Sequence, residues 1–126
     1  MTLDINQIEF NADGCEGDCP IFSMRILNTG AANYNANMFN ERQGKFKTVI
    51  KKPQLDSLMT LIQNSNFFNL KSNYSSPYTD HPTYTLKVKL NDGRTKTIED
   101  YGPNGPDEIR KVYDFIFSLR NSQQWK

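Results

Sequence analysis

Between Tyr84 and Leu90 the chain alternates without a break. Tyr84, Leu86, Val88 and Leu90 are apolar, and Thr85, Lys87 and Lys89 are polar. A period of two marks a strand with one buried face. Asn91-Asp92-Gly93 follows at once, and Asp-Gly accepts the positive φ that a tight reversal needs. Arg94 to Asp100 then returns as a second strand with Ile98 inward, its threonines suiting a pleated surface. The same period recurs upstream: Ile8, Phe10 and Ala12; Phe22, Met24 and Ile26; Ala32, Tyr34 and Ala36; Phe46, Thr48 and Ile50. Asn28-Thr29-Gly30 and the stretch from Glu41 to Gly44 supply the turns between them. Strands joined by short turns pair antiparallel, so a sheet with one wet side is expected.

The period changes at Pro53, a residue tolerated where a helix begins because its missing N–H would be unpaired there. Leu55, Leu58, Met59 and Ile62 fall at i, i+3, i+4 and i+7, which predicts an amphipathic helix of about three turns. Asn64-Ser65-Asn66 ends it, and Phe67, Phe68 and Leu70 read as an apolar exit beneath it. Ser72 to Pro82 reads as a long polar loop, and Tyr101 to Pro106 as a stiff connector. Pro106 opens a last helix, with Asp107 and Glu108 near the positive end of its dipole. Ile109, Val112, Ile116 and Leu119 form its buried stripe, Tyr113 and Phe117 widen it, and Trp125 is expected to pack back on the body.

The expected order is ββββαββα: an α+β two-layer sandwich, with a mainly antiparallel sheet of about six strands and two helices on one face. At 126 residues, with no repeat or linker, it reads as one domain spanning 1–126. Eight Phe, six Tyr and one Trp can fill its core, since each aromatic buries about 150–250 Å².

Fifteen basic residues stand against fourteen acidic ones, a net charge of +1. Nucleic acid is not expected as a partner, because a binder of it shows a basic stripe. The nearest run, Lys45, Lys47, Lys51 and Lys52, reads as the wet face of a strand. No stretch approaches the roughly 18–20 apolar residues of a membrane span. The N-terminal residues show neither a basic region nor an apolar one, so no leader is visible; a lipid anchor on the full-length protein remains open.

Cys15 and Cys19 lie in Asp13-Gly14-Cys15-Glu16-Gly17-Asp18-Cys19-Pro20, a loop by its glycines and proline. Three readings compete. A disulfide across so short a span adds only about 2 kcal/mol on the chain-entropy model. A structural zinc needs about four ligands, and the chain offers two Cys and one His. A redox dithiol is disfavoured by the three-residue spacing and by acidic Glu16 and Asp18, which oppose thiolate formation. Free structural thiols also stay open. The structural disulfide is the favoured reading, and it points to an oxidising compartment.

One further cluster has chemical flavour: Tyr78-Thr79-Asp80-His81-Pro82, near Asp100 and Tyr101 if the flanking strands pair. Asp80, His81, Asp100 and Tyr101 form the candidate binding loop. The functional reading is an acid–base pair with Asp80 orienting His81, since histidine as a residue type titrates near neutrality. The favoured alternative is that Asp80 accepts backbone N–H bonds in an Asx-type turn. No G-x-S-x-G elbow or phosphate loop occurs. No catalytic residue, metal ligand set or cofactor is therefore assigned.

Gly14-Cys15-x-Gly17-x-Cys19-Pro20, followed by Gly30 and Tyr34, resembles the opening of a bacterial family described as domain of unknown function 6438. The resemblance continues through Tyr74, Thr79-Asp80-x-Pro82-Thr83, Asp92-Gly93, Lys96-x-Ile98-x-Asp100-Tyr101, the Pro-led last helix and Trp125. It departs at Glu16, where the family pattern has an aromatic, and at Phe22, where it has Tyr. The resemblance implies the α+β fold, a secreted or lipid-anchored envelope protein, and no catalytic residues.

The leading expectation is a non-catalytic envelope or secreted domain, periplasmic, outer-membrane-anchored or extracellular. It would bind a protein, peptide or glycan through its exposed sheet face, where Asn33, Asn35 and Asn37 alternate, or through the cysteine loop. The rival is a metal-binding or thiol-redox protein using Cys15 and Cys19.

Overall fold

A computed structural model describes residues 3–15, 17–77 and 81–126. Seven strands and two helices follow in the order β1 (Ile5–Ala12), β2 (Ile21–Leu27), β3 (Ala31–Met38), β4 (Gly44–Val49), α1 (Lys52–Asn64), β5 (Asn73–Tyr74), β6 (Thr83–Leu90), β7 (Thr95–Tyr101) and α2 (Asp107–Ser122). The fold is α+β. The sheet order is β4-β3-β2-β1-β6-β7-β5. Every pairing is antiparallel except the short β5, which runs parallel to β7 with Asn73 opposite Glu99 and Tyr74 opposite Asp100.

β5 is the seventh strand, one beyond the expected six, and it lies inside the stretch expected to be loop. Two residues carry no readable period. What places them is the pairing to β7, extended by the Glu99 N–H donating to Ser72 O at 2.9 Å. The helix starts also shift. Pro53 is the second residue of α1, and Pro106 stands just outside α2 at its N-cap.

β1 is the centre of the sheet. It pairs with β2 on one side, Ile8 opposite Ile26, and with β6 on the other, Ile8 opposite Val88. Gly30, at φ +94°, turns β2 into β3, and its missing side chain lets Ile50 O approach to 3.0 Å of where a Cβ would stand. A side chain there would be strained twice over.

The register places most of the apolar strand positions on one side. Across the sheet, Tyr34, Met24, Phe10, Leu86 and Ile98 form one continuous buried row. Leu55, Leu58 and Ile62 of α1 and Ile109, Val112, Tyr113, Ile116 and Leu119 of α2 close over that face. Phe10 is the hub, its ring within 5.9 Å of Phe22, Tyr84, Tyr113 and Phe117. A buried side chain of this kind contributes about 1.5–3 kcal/mol. Trp125 packs back as expected: it is buried, its Nε1 donates to Leu119 O at 2.9 Å, and its ring lies 5.2 Å from that of Tyr34. Beyond it, Lys126 exchanges two main-chain bonds with Lys47 (3.2 and 2.9 Å), so the chain covers part of the β4 edge. Among the described residues no helix covers the opposite side of the sheet, whose side chains are exposed or half-buried.

Candidate functional site

Three places hold the residues singled out from the sequence. The first is the β1–β2 connection. Cys15 and Cys19 are joined, with Cα atoms 5.7 Å apart. The bond closes the bend in a connection whose ends are already set by Ala12 opposite Phe22. Asp13 N donates to Thr83 O at 2.9 Å, which ties the same bend to β6. Glu16 lies outside the described residues.

The second place is the candidate binding loop. Asp80 lies outside the described residues. The His81 and Tyr101 rings meet edge-on, with centroids 6.2 Å apart, because Thr83 pairs with Tyr101 and brings the two strand ends together. Asp100 does not join them. It is in phase with Ile98, so it points to the helix side and is wholly buried. Its Oδ1 accepts the Asn104 N–H at 2.6 Å, and its Oδ2 accepts the Gly105 N–H at 2.9 Å and the Tyr113 hydroxyl at 3.0 Å. A buried carboxylate needs such partners, because an unpaired one is strongly disfavoured. Gly105 is required here: a Cβ would sit 2.9 Å from both Asp100 Oδ2 and Ile109 Cγ2. Burial, reinforced by the Asp100 charge, pushes the Tyr113 phenol far above its ordinary range. Asp100 therefore anchors the β7–α2 connector to the core.

The third place is the open sheet face. The register lines up Lys47, Asn33, Arg25, Glu9, Lys87 and Thr97 in one row across five strand pairings. The next row holds Lys45, Asn35, Ser23, Asn11, Thr85 and Glu99. A shallow depression of about 240 Å³ lies over these rows, lined by Glu9, Asn11, Ser23, Arg25, Asn33 and Asn35. Glu9 Oε1 accepts from Gln7 Nε2 at 2.6 Å. Among the described residues, the four ion pairs all lie elsewhere, and none involves Arg25, Lys47 or Lys87. Asn33 and Asn35 were visible as alternating polar residues. Arg25 and Glu9 were not singled out, although each stands at a polar position of its own alternation. Only the order β3-β2-β1 makes them neighbours of the asparagines.

A family model matches residues 6–120. The chain belongs to the family described as domain of unknown function DUF6438. No curated protein shows a significant match to it. The DUF6438 match runs from β1 into the last turns of α2 and thus takes in the joined cysteines, the Asp100 anchor and the open face alike. Among the described residues of this DUF6438 chain, no three His, Cys, Asp or Glu side chains gather to hold a metal ion, and no helix is long and apolar enough to cross a membrane.

Proposed function

We propose that this DUF6438 domain is a non-catalytic binding module of an extracytoplasmic compartment, and that it takes a glycan or peptide on its open sheet face. The carrying observation is the depression over Glu9, Asn11, Ser23, Arg25, Asn33 and Asn35. Amides and hydroxyls both donate and accept, so such a floor suits ligands rich in hydroxyl or amide groups. The helices and the hydrophobic core stand behind it, so the side chains rise from a stiff base. The joined Cys15–Cys19 pair supports the compartment, since disulfides persist where the surroundings oxidise. His81 and Tyr101 place two rings at one end of the molecule, beside the β6–β7 end of the sheet.

The test is amide mapping on the isotope-labelled domain with pooled glycans and pooled peptides. Shifts centred on residues 23–25 and 31–40, with their β4 neighbours Lys45 and Lys47, are the expected result. Silence of residues 31–40 with every pool would refute the reading.

A further inference from the structure

The charges that balance in composition do not balance in space. Among the described strand residues, the open face carries Arg25, Lys45, Lys47, Lys87 and Lys89 against the acidic Glu9 and Glu99. A surface of one dominant sign concentrates oppositely charged ligands. The depression over Glu9 and Arg25 adjoins a second one of about 330 Å³, which reaches Lys45, Lys47 and Lys126; both are lined by Asn33 and Asn35. Sharing those two residues, the depressions lie side by side across the strands from β1 to the β4 edge, and we call this line of the face the trough. An added peptide strand would run along an edge and use main-chain groups; a ligand in this trough crosses the strands and meets side chains.

The order of charges within the row narrows the ligand further. Lys47 and Arg25 line the trough on β4 and β2, and Lys87 continues the series on β6, one strand beyond the β1 end of the trough, so the three stand two strands apart each time. At about 4.8 Å between strands, that repeat is roughly 9.6 Å, a span that two linked pyranose rings cover. The intervening positions are Asn33 and Glu9. A carboxylate accepts hydroxyl and amide N–H donors and repels a second carboxylate. The ligand that fits bears one negative charge on every second unit, with hydroxyl or amide groups between.

We infer that the trough binds an acidic polysaccharide in which a uronic acid alternates with an uncharged amino sugar. This rests on the reading of the open face as the binding surface. The probe is a hyaluronan hexasaccharide, titrated into the labelled domain at low and at high salt. Controls are a neutral chitin hexasaccharide, a poly-glutamate peptide and a single-stranded oligonucleotide. Expected are shifts at residues 25, 33, 35, 45 and 47 with the hyaluronan probe, weakening as salt rises. Arg25→Ala or Lys47→Ala should each lower the affinity about tenfold, as loss of one charge-assisted contact does, while Lys47→Arg should preserve it. Equal or tighter binding of the oligonucleotide, the poly-glutamate or the neutral sugar overturns the inference. If pooled peptides or neutral glycans shift residues 31–40 while the hyaluronan probe leaves them still, the inference fails and the binding reading stands. Silence with every ligand ends both.

Discussion

The two sides of one sheet are built from the same strands, residue by alternate residue, yet they spend their polar groups in opposite ways. On the helix side, Asp100 is the one buried acidic residue among those described, and its contacts all go to the chain itself: two backbone N–H groups and the Tyr113 hydroxyl. On the open side, Arg25 stands exposed next to Asn33 and Glu9 with no ion pair among the described residues. A polar group out of water must be satisfied from within; one in water can wait for a ligand. The contrast separates residues that hold the fold from residues available for recognition, even where their chemistry is the same.

That separation can be broken experimentally, and the largest effect belongs to the hub of the buried side. Phe10→Ala should cost about 4 kcal/mol, the range for emptying an aromatic site in a core, read from urea denaturation. Asp100→Ala should follow at about 3 kcal/mol, because it leaves buried donors without an acceptor; an effect below the scatter of surface substitutions would remove Asp100 from its anchoring role.

Alkali tests the same side more gently. Burial raises the phenols of Tyr113, Tyr84 and Tyr34, with the Asp100 charge adding to the first and Asp114 to the second. A phenol raised in the fold favours the neutral form there, so its contribution is intact below about pH 10, the unfolded value. Above it, stability should fall as pH rises toward the folded-state value, by up to about 1.4 kcal/mol per pH unit for Tyr113, whose shift is the large one, and more weakly for the other two. Tyr113→Phe should flatten that slope, measured as urea midpoint against pH. The smallest effect belongs to the open side: Arg25→Ala should change stability by no more than about 0.5 kcal/mol. A larger loss would mean that the open face also holds the fold.

Much of this was legible in the residues. Alternation, with turns at Asn28-Thr29-Gly30, at Glu41 to Gly44 and at Asp92-Gly93, reveals six strands and their inward faces, and the 3.6-residue stripes reveal both helices. β5 escaped because two residues have no period, and its partner lies some 25 positions away in β7. Asp100 was grouped with His81 because the two strand ends do meet; the phase with Ile98, which sends its carboxylate inward, was the signal to weigh. The basic face escaped for a different reason. Net charge is a sum, and a sum of +1 hides any arrangement. Lys47, Arg25 and Lys87 become a series only through pairings that join strands distant along the chain.

The central place of β1 has a consequence for how the molecule is made. β1 precedes both of its neighbours along the chain, and the second of them, β6, begins only at Thr83. Contacts between such distant segments form late, because closing the long intervening loop costs entropy before any pairing rewards it. Until then one edge of β1 lies bare, a template for other chains. The growing polypeptide is therefore most vulnerable to aggregation until residues 83–90 arrive, and a holding chaperone that shields residues 5–12 over that interval should raise the yield of folded protein.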